Sequence, residues 1–404
     1  MPSTPLDSHS QSSAWSIFLV FLRLGLTSFG GPVAHLGHFR DEFVGRRRWL
    51  DEARYADLVA LCQFLPGPAS SQVGIAVGLL RGGYAGSLAA WAGFTLPSAL
   101  ALTLFALGIA NWGDAVPPGL LHGLKIVAVA VVAQAVWGMA RNLCTDGART
   151  TIAVLTACLV LLLPNAWAQL GAIALAGLIG RLLFRAATKP PVSTIPPPAH
   201  RTVAALSLLL FFALLLALPV LASASASQWL ALLDTFYRAG ALVFGGGHVV
   251  LPLLQAEVVP NGWVTNGTFL AGYGAAQAVP GPLFTFSAFL GGSMNNGSGS
   301  VLSAAVCLVA VFIPSFLLVF GVMPFWDRLR ANRDVQAALA GVNAAVVGLL
   351  LAALYDPVWT SAIFSATDFA LALVALAALV VWKLPPWLVV LAGAIAGWAL
   401  TALL

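Results

Sequence analysis

Phe21-Leu22-Arg23-Leu24-Gly25 runs into Phe29-Gly30-Gly31, and Phe236-Tyr237-Arg238-Ala239-Gly240 runs into Phe244-Gly245-Gly246. A second match follows each copy. Gln63 stands just ahead of Pro66-Gly67-Pro68, and Gln277 just ahead of Pro280-Gly281-Pro282. Glu42 recurs as Glu257 at the same 215-residue offset as the first motif, and Pro97-Ser98 recurs as Pro314-Ser315 at 217. Apolar segments interrupted by Gly and Pro at corresponding places in two halves point to a transporter's binding site.

Composition sets the class. Sixty per cent of the 404 residues are hydrophobic and 8% are charged, where a soluble domain has about a quarter charged. Roughly 20 apolar residues span a bilayer, and Tyr84 to Ala110 carries no charge at all. The chain reads as an all-α polytopic protein whose main partner is the lipid bilayer. The net charge of +5 sits in short loops, so it reports orientation rather than nucleic-acid binding. Cys62, Cys144, Cys158 and Cys307 are scattered without CxxC pairing, which indicates neither a disulfide framework nor a zinc site. No cofactor motif is present, and no Walker A sequence for ATP.

The organisation follows from the repeat. A polar tail (1–13), expected to be disordered, precedes a first repeat (14–185). A Pro-rich cytoplasmic linker (186–202) and one unmatched apolar helix (203–222) lead to a second repeat (229–404). Arg40, Arg46, Arg47, Arg48 and Arg54 crowd one loop of the first repeat, while its counterpart, Gln255 to Thr268, has no Lys or Arg. Conversely, 111–119 has none, whereas its counterpart holds Arg328, Arg330 and Arg333. Basic loops stay cytoplasmic, so the two repeats are expected to be inverted, with the unmatched helix supplying the extra crossing. Tyr55 to Leu65 and Ala69 to Leu80 are each too short to span. They should form a re-entrant pair with Pro66-Gly67-Pro68 at its tip, and Phe269 to Met294 the same from the opposite face. The remaining apolar segments, including Thr150 to Leu163, Trp167 to Phe184, Phe369 to Trp382 and Trp387 to Leu404, are read as crossings.

Proline ends one helix and begins another, which leaves backbone N–H groups and a positive dipole end near mid-membrane, a site for an anion. Gly30, Gly31, Gly245 and Gly246 allow close backbone approach. The four tips, with Gln63, Gln277 and the Pro-Gly-Pro residues Pro66, Gly67, Pro68, Pro280, Gly281 and Pro282, are therefore candidate substrate-binding positions. An intramembrane Arg is costly and has a partner. Arg23 and Arg238 either hold an oxyanion bidentately or pair with Glu42 and Glu257. Glu42 and Glu257 in turn carry protons or serve as caps and ion pairs. His35, His38 and His248 titrate near neutral pH and are coupling candidates or plain interfacial residues. Lys125 aligns with neutral Asn343 and is either functional or snorkelling.

Phe29-Gly30-Gly31-Pro32-Val33-Ala34-His35-Leu36-Gly37, Gln63-Phe64-Leu65-Pro66-Gly67-Pro68 and their degenerate second copies resemble the chromate ion transporter family in its long, two-domain form. The resemblance covers nearly the whole chain from residue 14. It implies a bacterial plasma-membrane carrier that exports chromate and confers resistance, with sulfate as an analogue or competitor. Two rivals remain open at this stage: a proton-coupled importer of sulfate or another oxyanion, and a passive anion channel. An intramembrane enzyme would need a nucleophile–base or metal constellation that the His and acidic spacings do not supply. Oligomeric state, a homodimer included, is not legible in the sequence.

Overall fold

Each Gly motif is a turn in the backbone. Gly30 and Gly31 take φ of 100° and 77°, and Gly67 and Gly281 take 121° and 96°, conformations that only glycine adopts without strain. The computed structural model describes residues 12–112, 117–184, 201–225, 227–295 and 299–403. Most of the expected tail and linker lies outside the described residues.

The first repeat comprises α1 (Ala14–Thr27), α2 (Gly31–Arg40), α3 (Glu52–Phe64), α4 (Ala69–Trp112), α5 (Pro118–Leu143), α6 (Gly147–Leu162) and α7 (Ala166–Leu183). Then come the unmatched α8 (Arg201–Ala224) and the second-repeat helices α9 (Gln228–Leu242), α10 (Val250–Val258), α11 (Asn266–Ala276), α12 (Phe286–Gly292) and α13 (Val301–Val322). A short α14 (Trp326–Ala331) leads to α15 (Arg333–Ala353), α16 (Ala366–Val380) and α17 (Pro386–Leu403). Among the described residues there is no strand, and six helical stretches are long and apolar enough to cross a membrane.

The α1–α2 and α3–α4 pairs are helical hairpins that share a base. Ser12 N donates to Arg81 O (3.1 Å), and the Arg81 guanidinium lies over the Trp49 ring (5.3 Å). Their tips are Phe29-Gly30-Gly31 and Pro66-Gly67-Pro68. α4 is two arms folded back at Gly82 and Gly83. Ser87 Oγ on one arm donates to Ile75 O on the other (2.9 Å), and at Gly78 a side chain would collide with Gly86 O. In the second repeat the base is formed by Asn295 N donating to Trp263 O (2.8 Å), the residues equivalent to Arg81 and Trp49.

The two bases lie far apart. The second arm of α4 runs antiparallel to α13, with Tyr84 on Phe320 (5.0 Å) and Trp91 on Phe312 (5.7 Å). Gly292, close to the second base, abuts Ala106, some 22 residues and hence about 33 Å along α4 from the first base. Basic groups gather at the Arg81 end: Arg330 pairs with Asp57 (2.7 Å), Arg181 with Asp334 (3.0 Å), and Arg149 stacks on Phe184 (5.0 Å). This is the end that the positive-inside rule assigns to the cytoplasm. Asp57 also accepts from Trp326 Nε1 (3.0 Å), and its carboxylate and the Arg330 guanidinium are nearly buried. Asp57→Ala is expected to cost about 2 kcal/mol by removing the shorter of two carboxylate contacts from that guanidinium, Asp327 remaining at 3.3 Å, measured as a lower melting temperature in detergent.

The two sequence halves are packed into each other: α5 packs on α16 and α17 while α15 packs on α6 and α7. Glycines permit these exchanged contacts: Gly123 lies against Gly393, and Gly341 against Ala176 and Gly180, the close backbone approach typical of membrane helices. α16, at 15 residues, is only about 22 Å long. It starts beside His122, which Asp368 holds at 2.9 Å, and the α16–α17 turn brings Pro386 beside Val131 and Gln134 of α5.

Candidate functional site

The four tips interlock across the repeats. Gly67 N donates to Val243 O (2.7 Å), and its counterpart Gly281 N donates to Ser28 O (3.0 Å). Residues 28 and 243 are themselves equivalent. Convergence of the tips was expected. The two Pro-Gly-Pro amides, however, are consumed in holding the tips together rather than left for a ligand.

A cavity of about 100 Å³, partly open to solvent, lies beside this junction. A water needs about 10–15 Å³ of such space, so the cavity has room for a small anion. Gly30, Gly31 and Pro32 line it where α2 begins, and Gln277, Val279 and Gly281 where α11 gives way to the second Pro-Gly-Pro. His248, Gln134 on α5 and Pro386 at the start of α17 complete the polar side and the floor. Among the described residues no carboxylate lines it. The N-terminus of α2 presents its positive dipole end, and Gln277 Nε2 is buried without a hydrogen-bond partner. The His248 ring is held by Tyr273, Nδ1 to Oη 2.7 Å. This donor-rich, acid-free lining suits a small anion.

Gln134 was missed in the sequence because it belongs to no repeated motif. The available signal was a single amide in the apolar run from Ile126 to Val136. Several candidates lie elsewhere. Gln63 is exposed, unlike its mate Gln277. His35 is buried against Phe94 and within 3.3 Å of Ser70 Oγ. Lys125 is one turn from His122, within electrostatic reach of Asp368. Gly245 and Gly246 pack near Met139.

The two arginines have different fates. Arg238 is clamped by Asp234 (2.5 Å) and Glu257 (2.7 Å). Glu42, the mate of Glu257, pairs instead with Arg46 and Arg47. Partial burial pushes its carboxyl up, but these two guanidiniums outweigh that and hold it below the usual carboxylate range. Arg23 is exposed, and its guanidinium makes no ion pair among the described residues.

That difference is part of a wider asymmetry. Leu26 and Val33 are 54% and 85% exposed, and Gly37, His38, Ala56 and Ala60 are exposed too. Their repeat mates Ala241, Pro252, Leu253, Leu270 and Gly274 are buried, and His248 is half-buried. In the second repeat this face is covered, α10 by α15 and α7, and α11 by α5. In the first repeat the same face is uncovered, and only the tip reaches across, with Phe29 against Trp387 (6.2 Å). An uncovered face therefore runs from the arginine-rich end to Gly30 and Gly31 at the cavity. Arg23 lies on it, one helical turn before the end of α1.

Comparison with known proteins gives concordant matches. The family model described as "Chromate transporter" matches residues 15–181 and again 230–398. The chromate transport protein of Pseudomonas aeruginosa is 31% identical over 403 residues, covering 95% of this chain and 91% of that relative. A probable chromate transport protein of Synechococcus elongatus is 28% identical, covering 97% of each. The chromate transport protein of Cupriavidus metallidurans is 25% identical, covering 83% and 80%. No solved structure matches.

Proposed function

Because this chain belongs to the chromate transporter family, a family of transporters rather than catalysts, we propose that it is a secondary carrier that exports chromate by alternating access. It is a multi-pass plasma-membrane protein. The observation that carries the proposal is a cavity with no carboxylate among its described lining residues, beside a first-repeat face that is exposed where its second-repeat counterpart is packed; we read that face as the wall of a crevice open at the basic end. A dianion entering from the cytoplasm meets Arg23 first, then the α2 N-terminus, Gln277 and Gln134. Electrostatics favours outward movement. Each charge crossing an inside-negative potential gains about 2.3 kcal/mol per 100 mV, about 4.6 kcal/mol for a dianion. Export therefore needs no nucleotide, and import of the same ion would need co-transported cations.

Inverted repeats are supported by the antiparallel α4 and α13, the opposite placing of the two bases and the reciprocal tip bonds. The moving parts are then the hairpin core (α1–α4 and α9–α13) against the exchanged bundles (α5–α7 and α15–α17), since interlocked halves cannot rock as units. The test is chromate uptake by everted vesicles with and without an imposed potential, with sulfate as competitor. Saturable, potential-driven uptake is expected, with KM raised about tenfold in Gln277→Leu through loss of one hydrogen bond to a charged group. Proton-dependent sulfate movement without chromate flux would replace this reading with the importer, and non-saturating flux would replace it with a channel.

A further inference from the structure

The closed second repeat displays the arrangement that the open first repeat would adopt on closing. There, the buried Arg238 is neutralised by Asp234, one helical turn before it on α9, and by Glu257. The first repeat cannot reproduce this. The position of Asp234 is filled by Leu19, and Glu42 is already bound to Arg46 and Arg47. Asp41 stands beside Arg40 at the cytoplasmic rim. The opposing wall supplies no acid either. Residues 131–143 of α5 carry only Arg141, the α16–α17 turn carries Lys383, and α17 has no charged residue. Asp368 is at the far end of α5, held by His122. Closing the crevice would bury a guanidinium with no counter-charge, which is strongly unfavourable.

We infer that Arg23 makes closure of the cytoplasmic crevice conditional on a bound oxyanion, which serves as the counter-ion that Leu19 in place of an aspartate has removed. The inference rests on the alternating-access reading above. It makes Arg23 a specificity-determining residue: an empty carrier stays open inward, and a dianion entering the crevice both loads the site and licenses its closure. Arg238, with two carboxylates of its own, has no such requirement and acts as a permanent lock on the outer side.

The test restores the missing carboxylate. Leu26→Cys, whose repeat mate Ala241 is 1% exposed, reports closure through its labelling rate with a water-soluble maleimide in native membranes, with Cys144 and Cys158 replaced by serine. Sulfate is the added anion, because chromate oxidises thiols. In the Leu26→Cys parent, fast labelling without sulfate and labelling slowed about tenfold with it are expected, a modest population shift. Leu19→Asp should be slow, by at least about tenfold, even without sulfate, and should lose chromate efflux. The isosteric Leu19→Asn should behave as the parent, which controls for folding and for the loss of the leucine. Equal labelling of Leu19→Asp and Leu19→Asn would overturn the inference, as would a parent that is labelled slowly from the outset. Chromate efflux by the wild-type chain, without the introduced cysteine, is measured alongside. Its absence would retire the substrate assignment, while a loss of labelling specific to Leu19→Asp would still establish the anion-dependent gate.

Discussion

Arg238→Leu is expected to leave little folded protein in the membrane, whereas Arg23→Leu should fold normally and fail to transport. Arg238, Asp234 and Glu257 are all largely buried, with contacts of 2.5 and 2.7 Å. Removing the guanidinium leaves two carboxylates facing each other, and breaking a buried pair in this way costs about 3–5 kcal/mol, a large part of a typical domain's stability of about 5–15 kcal/mol. Replacing the whole cluster with apolar groups of similar volume is often neutral. The triple variant Arg238→Met, Asp234→Leu, Glu257→Met should therefore recover most of the lost melting temperature, and its second substitution only installs the residue that the first repeat already has at position 19. Arg23, being exposed and unpaired, contributes no such contact, so its loss should appear in flux and not in thermal stability. Detergent melting curves for the four proteins decide the matter. An Arg238→Leu variant that melts with the wild type would remove the case for a lock.

The sequence revealed those features that repeat locally. Phe29-Gly30-Gly31 and Pro66-Gly67-Pro68 announced the turns because glycine and proline control backbone angles without reference to any partner. The arginine clusters announced the cytoplasmic end because that bias is a property of loops. What stayed hidden depends on partners far apart in the chain. Asp234 lies four residues before Arg238, as a helix-surface ion pair requires, but nothing local says that the pair is buried, and with Leu19 at the matching position the aspartate is not part of the repeat. The exchange of α6–α7 and α16–α17 between repeats rests on glycine contacts such as Gly123 with Gly393, each of which in sequence is one small residue among many. Gln134 enters the cavity only because α5 is placed there by the other repeat's helices. The opening of one repeat and the closing of its mate cannot be read from two nearly equivalent sequences at all, since it is a property of the state the molecule adopts.

Gly281→Ala should reduce chromate kcat/KM at least about tenfold, and Gly67→Ala by a similar factor, because the two glycines occupy reciprocal positions. Gly281 has φ 96°, and a Cβ there would stand 2.9 Å from Ser98 Oγ and 3.1 Å from Phe94 O. Gly67 has φ 121°, and a Cβ there would stand 2.6 Å from Gln72 Nε2 and 3.0 Å from Ser315 Oγ. Ser98 and Ser315 are repeat mates, so each tip glycine rests on the serine that follows the helix proline (Pro97 or Pro314) of the opposite repeat. An L-residue held at such an angle costs about 1–3 kcal/mol, and shifting the tip to relieve the contact with the Phe94 carbonyl would weaken the Gly281 N–Ser28 O bond, worth about 0.5–1.5 kcal/mol. A cost of about 1.4 kcal/mol or more in the loaded state is a factor of ten. Ser98→Gly in the Gly281→Ala background removes the side-chain contact but not the backbone strain, so it should recover only part of the activity. Full recovery would show that crowding, rather than the left-handed turn, is what the glycine relieves. Wild-type transport by Gly281→Ala itself would mean that the tip junction tolerates displacement, and that the cavity beside it is not shaped by this contact.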